Sequence, residues 1–157
     1  MDIAEQISRH LLDVYAGENW TEVNLQSTID DLTYQEASEL TPASINTISG
    51  LLHHLHYWNE VMAQRIAGVR VKIEPSNGFN NEPLESEAQW INLKQACFKS
   101  AEQLATAIRG LSEAQLQAPI LEDYPTAYKS LQGSVEHVHY HLGQIVILKN
   151  LIRALDV

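Results

Sequence analysis

The chain has 157 residues, 45% hydrophobic and 19% charged, and its 20 acidic side chains against 10 basic ones give a formal charge of −10. A length near 150 residues suits one domain, here 1–157, able to bury about 70% of its unfolded surface, and the hydrophobic content excludes a disordered or low-complexity class. The negative charge repels phosphate backbones and anionic lipid, and the basic residues form no stripe, so neither nucleic acid nor a membrane is an expected partner.

Cys97 is the only cysteine, which excludes an internal disulfide. The start, Met1-Asp2-Ile3-Ala4-Glu5, lacks the basic-then-apolar pattern of a signal peptide. The best apolar run, Ile145-Val146-Ile147-Leu148, falls far short of the ~20 residues of a membrane span. A cytoplasmic protein is expected.

Four stretches carry helical periodicity. In the first, Ile3, Ile7, Leu11 and Val14 repeat at three- and four-residue steps, and Gly17 is a natural stop. The second is expected to open after Thr41, with Pro42 at the first helical position, and to run to Gly68; its stripe includes Leu51, Leu55, Trp58 and Met62. The third opens with the capping-box pattern Ser86-x-x-Gln89 and continues through Trp90, Leu93, Cys97, Leu104 and Ile108 to Leu111. The fourth spans about 130–155, with Leu131, Val135, Val138, Leu142, Ile145 and Leu148 on one side. Thr21–Leu40 is polar and mixed, with a short helical turn expected at Tyr34–Leu40. Two long connections, 69–85 with Pro75-Ser76-Asn77-Gly78 and about 116–129 with Pro119 and Pro125, interrupt the pattern. Four amphipathic helices bury their stripes together most simply as an all-α four-helix bundle, and connections of this length are often functional.

The histidines carry the chemical signal. Six of the seven fall in two clusters, His53, His54 and His56 on the second helix and His137, His139 and His141 on the fourth. At about 100° per residue, His54 borders the apolar stripe, with Trp58 about 40° away, whereas His53 lies roughly 100° to the other side and His56 nearly opposite. On the fourth helix His137 and His141 are about 40° apart beside Leu148, while His139 faces away at about 200°. Side chains at i and i+4 stand about 5–6 Å apart, so His137 and His141 can chelate one ion, and His54 on a helix about 8–10 Å away can complete a three-imidazole set. Three neutral imidazoles leave coordination positions open, the pattern of a catalytic zinc site, and imidazole equally suits nickel, copper or iron.

The remaining candidates read as structural. His10 is taken to pack near its helix's apolar face, and His53, His56 and His139 as solvated surface residues. Cys97 falls in the third stripe as a small core residue, and Trp20, Trp58 and Trp90 are expected to pack. The segment His137-Val138-His139-Tyr140-His141 has no glutamate at its second place and so lacks the base of an H-E-x-x-H metalloprotease. No phosphate-cradling glycine loop and no G-x-S-x-G occur.

Two motifs resemble a known family. Leu51-Leu52-His53-His54-Leu55-His56-Tyr57-Trp58-Asn59-Glu60 is similar to the second-helix motif of DinB-like proteins, and His137-Val138-His139-Tyr140-His141-Leu142-Gly143-Gln144-Ile145 resembles their H-x-x-Y-H-x-G-Q-I signature. Gly17-x-x-Trp20 and Glu87-Ala88-Gln89-Trp90 fit the same pattern, so the resemblance covers nearly the whole chain. This DinB/YfiT-like group is unrelated to the DNA polymerase of the same name.

The resemblance implies a four-helix bundle, often a homodimer, holding a divalent metal on three histidines. By motif these are His137, His141 and either His53 or His54; the facing argument favours His54. Relatives include transferases and isomerases using thiols such as bacillithiol or mycothiol, and metal-dependent hydrolases. A divalent ion, zinc or nickel first, and a small thiol with an electrophilic substrate are the expected cofactor and partners. Gln144, three residues after His141, is the remaining candidate for the catalytic site, either bonding a ligand or supporting a histidine. Val146, Ile147 and Leu151 widen the fourth helix's apolar surface, which a partner chain is expected to cover.

Overall fold

A computed structural model describes residues 2–155 of the chain. Among the described residues it contains seven helices: α1 (Ile3–Ala16), α2 (Leu25–Ile29), α3 (Tyr34–Ser38), α4 (Ile48–Ile66), α5 (Glu87–Arg109), α6 (Glu113–Gln117) and α7 (Ala127–Leu155). The four long ones pack in a ring, α1 on α5, α5 on α4, α4 on α7 and α7 back on α1. This all-α bundle is what four apolar stripes require, because each helix must lay its stripe against two neighbours to leave water.

The core follows those stripes. Ile7, Leu11 and Val14 of α1 meet Leu104 and Ile108 of α5, Leu51 and Leu55 of α4, and Leu131, Val138 and Ile145 of α7 in one buried cluster. Trp90 is fully buried, and its indole Nε1 donates to the Leu32 carbonyl at 2.9 Å, fastening the α2–α3 connection to α5. Cys97 is also in this core, where burial pushes its thiol up, out of reach of ionisation at neutral pH. Asn59 donates to the Tyr15 hydroxyl at 2.8 Å and to Ser100 Oγ at 3.0 Å, so the buried polar atoms between α1, α4 and α5 satisfy one another.

Several boundaries differ from expectation for local reasons. Helix α4 starts at Ile48, not after Thr41: the Thr47 hydroxyl accepts the Gly50 N–H at 3.0 Å and serves as the N-cap. Residues 42–47 turn instead, with the Ser44 N–H bonded to the Thr41 carbonyl and the Asn46 N–H to Ser44 Oγ. Ser86 caps α5, but the Gln89 side chain accepts from the Glu85 N–H at 2.8 Å and does not close a reciprocal box with Ser86. Helix α7 begins three residues before the expected start, and α2 and α6 are short helices within stretches read as irregular. Trp20, expected to pack, is 98% exposed. Among the described residues no helix is long and apolar enough to cross a membrane.

Candidate metal centre

Helices α4 and α7 bring His54, His137 and His141 together. Their ligand atoms all lie within 4.8 Å of one another. His54 Nε2 is 2.9 Å from His137 Nε2, which in turn is 3.0 Å from His141 Nε2. His54 and His141 are buried, at 2% and 5% exposure, and His137 is half-buried at the cluster's open side.

Each of two rings is held from behind. His54 Nδ1 donates to the Asn77 carbonyl at 2.6 Å, and a carbonyl only accepts, so His54 carries its proton on Nδ1 and turns the lone pair of Nε2 inward. His141 Nδ1 donates to Gln144 Oε1, also at 2.6 Å, with the same result. Gln144 therefore acts on the histidine one turn before it and sets that ring's tautomer and angle. The His54 ring stacks on Phe79, centroids 4.0 Å apart and planes 9° from parallel.

Burial lowers all three basicities. His54 falls from its ordinary 6.5 to about 4, chiefly through desolvation, which the bond to Asn77 only partly opposes. His137 falls to about 3, through desolvation and the neighbouring His141 and His54 rings. His141 is lowered by burial against the opposing pull of Gln144. At neutral pH the site is thus three uncharged imidazoles, with the Nε2 lone pairs of His54 and His141 both turned toward His137 Nε2 at hydrogen-bond distance. Facing lone pairs repel unless a proton or a cation stands between them. The donor set accordingly fits a divalent ion, because neutral nitrogen is the ligating form and a coordinating ion relieves that repulsion.

The loop between α4 and α5 supplies the supports that side-chain periodicity does not reveal. Asn77 sits in the left-handed region at φ 54° and Gly78 at φ 76°. Asn tolerates that conformation, and a Cβ on Gly78 would stand 2.5 Å from the Tyr57 ring. The turn is closed by the Asn77 N–H to the Glu74 carbonyl and the Phe79 N–H to the Ser76 carbonyl. Its outward carbonyls then take the imidazole N–H groups of α4, Asn77 from His54 and Gly78 from His53 at 2.6 Å. The Asn77 side-chain oxygen accepts from Trp58 Nε1 at 3.1 Å. The only sequence-level trace of this is the turn-forming Pro75-Ser76-Asn77-Gly78.

The other histidines stay out of the cluster. His53, expected in solvent, is bonded to the loop. His56 is half-buried with Nδ1 out of reach of any partner and its Nε2 3.8 Å from Glu60. His10, expected to pack, is exposed on α1 and stands edge-on to His139 of α7, centroids 5.9 Å apart.

A cavity of about 420 Å³ opens beside the cluster between α4, α7 and the loop before α7. His54 and His137 form its inner end, Trp58, Met62 and Pro125 its apolar walls, and Arg65 its far side. Among the described residues no aspartate or glutamate lines it.

Among curated proteins and solved structures, none matches the chain. The sequence profile of the DinB superfamily matches residues 10–145, a span that takes in His54, His137, His141, Gln144 and the loop that supports them. With the all-α bundle and the inward histidine triad in place, that match assigns the chain to a family: it belongs to the DinB superfamily.

Proposed function

We propose that this protein is a metal-dependent enzyme, and specifically a thiol S-transferase of the kind that uses a small cellular thiol such as bacillithiol or mycothiol. His54, His137 and His141 would hold the divalent ion, zinc or nickel. When bound, such an ion supplies Lewis acidity that favours the thiolate form of an incoming thiol. The observation that carries the reading is the cavity's lining: it includes His54 and His137 of the triad yet, among the described residues, contains no carboxylate. Hydrolysis ordinarily uses a nearby base to take a proton from the attacking water, whereas a thiol, with an ordinary pKa of about 8.5, can release its proton to solvent near neutral pH. The absence of a carboxylate therefore favours transfer over hydrolysis.

The chain's own groups do the rest. Trp58, Met62 and Pro125 form apolar walls that hold an electrophile and exclude water. Gln144 and the Asn77 carbonyl keep two imidazoles in one tautomer, so no proton has to move before a ligand is bound. The same reading includes a homodimer, for which Tyr140 and Ile147, 65% and 60% exposed and one heptad apart on α7, supply an apolar surface. Sedimentation that finds only monomer at micromolar concentration would remove that component.

The test is an assay of zinc- and nickel-loaded protein with an aromatic electrophile and a panel of small thiols. Turnover is expected only with a thiol present and only with metal. Equal product formation with and without thiol contradicts the transferase reading, and thiol-independent cleavage of an ester or amide replaces it with hydrolysis.

A further inference from the structure

The cavity's far side holds a cation that nothing in the metal centre uses. Arg65 lies eleven residues after His54 on α4, which returns it to within about 20° of the same face, roughly 16 Å along the axis. Its side chain turns back over the cavity: Cζ stands 5.3 Å from the Trp58 ring centroid and 4.9 Å from that of Tyr124. The Trp58 ring is itself 6.1 Å from His137. One indole thus separates the guanidinium from the histidine cluster.

The charge on Arg65 has no counterpart. No aspartate or glutamate lies within ion-pair range of it among the described residues, in a chain whose acids outnumber its bases two to one. Its Nε is buried without any acceptor, and Nη1 finds only the thioether of Met62 at 3.7 Å, a weak acceptor. The neighbouring Arg70 differs. It stands 5.3 Å from the Tyr124 ring centroid, but it donates to the Glu122 carbonyl at 2.7 Å and has the Asp123 carboxylate at 4.0 Å. A cation serving only the α4 C-terminus would extend into water. Arg65 instead stands against two aromatic rings, those of Trp58 and Tyr124.

We infer that Arg65 binds a carboxylate on the substrate whose reacting end reaches the three histidines. The link to a reacting end rests on the function proposed above; the anion site itself does not. A planar guanidinium offers paired N–H groups matched to two carboxylate oxygens, and among the described residues it is the only cation lining the cavity. A phosphate dianion would call for further donors of positive charge, which the lining lacks. The hydroxyls of Ser130 and Ser134 and the amide of Asn59 are neutral and repel no anion.

The test compares benzoate, its uncharged isostere benzamide, and phenyl phosphate, each titrated calorimetrically into metal-free and zinc-loaded protein. The Arg65 Nε–H resonance is followed by NMR. Benzoate is expected to bind roughly tenfold or more tighter than benzamide in both forms and to shift that resonance. Arg65→Gln is expected to abolish the preference, Arg65→Lys to keep part of it, and Arg70→Gln to leave it unchanged. Equal affinity for benzoate and benzamide, a preference that survives Arg65→Gln, or an unmoved Nε–H resonance overturns the assignment. Phenyl phosphate binding tenfold tighter than benzoate through Arg65 overturns the carboxylate in favour of a phosphate. If zinc fails to bind, the metalloenzyme reading falls, and the metal-free comparison still decides this one. Should Arg65→Gln lose its helical signal, the wild-type resonance and Arg65→Lys decide it.

Discussion

The Nδ1 proton of His54 rests on the main-chain carbonyl of Asn77, 2.6 Å away, so a loop residue's backbone aims a ligand carried by a helix. That carbonyl is fixed by the two left-handed residues of the turn, Asn77 and Gly78. Gly78→Ala places a Cβ against the Tyr57 ring in a conformation that costs an L-residue about 1–2 kcal/mol. Urea titration is expected to show a loss of at least that size, and metal titration about a 10- to 100-fold weaker affinity as His54 loses its support. Unchanged affinity would mean the turn does not aim the ligand.

Gln144 supports His141 in the same way through a side chain, which makes it separable from the fold. Gln144→Leu removes the acceptor and leaves the α7 backbone intact. Metal affinity is expected to fall about 10- to 100-fold with the helical circular dichroism unchanged. Isothermal titration with zinc measures it, and an affinity equal to wild type would assign Gln144 no part in holding the ring.

Acid separates the histidines from the surface ion pairs. The folded pKa values of His54 and His137, about 4 and about 3, lie below the ordinary 6.5. Between those limits the unfolded chain binds protons that the fold does not. Metal-free stability is therefore full above about pH 6.5 and declines as pH falls toward 4. Asp31, held down to about 2 by Lys149 and Arg153, loses its contribution in the same direction but at lower pH: it is present above 3.8 and is lost between 3.8 and 2. Thermal melts from pH 7 to about 5 thus report the histidines before Asp31 and Glu36, whose carboxyls are held below 3.8 and 4.5, are affected. His54→Ala is expected to flatten the slope in that range, and an unaltered slope would contradict the buried, neutral imidazole.

Trp90 tests the core apart from the site. Trp90→Phe leaves the buried Leu32 carbonyl without its donor, for a loss of about 1–3 kcal/mol in urea unfolding. Zinc affinity is expected to stay at the wild-type value, because the Trp90 indole bonds to the Leu32 carbonyl, whereas the rings of His54 and His141 are held by Asn77 and Gln144. A parallel loss of metal would mean the two regions are not independent.

The long helices were legible because a 3.6-residue stripe over three or more turns has few other ways to reach a core, as Ile7-Leu11-Val14 and Leu131-Val135-Val138 illustrate. The same periodicity separated His54 from His56, and His137 and His141 from His139, since facing on a long helix is arithmetic. It could not separate His53 from solvent, because a loop from elsewhere in the chain comes down on that ring. Pro42 suited a helix start, yet the hydroxyl of Thr47 accepts the free Gly50 N–H in the first turn of α4, and propensity yields to a cap already bonded. Helices of five residues, α2 and α6, are too short to carry a period. Asn77 acts through its carbonyl, which every residue has, so no residue type marks it. The turn-forming pair with Gly78 marks only that the chain bends there.

The central claim is that three Nε2 atoms take one divalent ion, and cobalt titration of the chelator-treated protein tests it most directly. One equivalent of Co²⁺ is expected to give the visible d–d bands of a low-coordinate nitrogen site, lost in His141→Ala while its helical signal stays. Absence of those bands in the wild-type protein, or their persistence in His141→Ala, would contradict the assignment of His54, His137 and His141 as the metal's ligands.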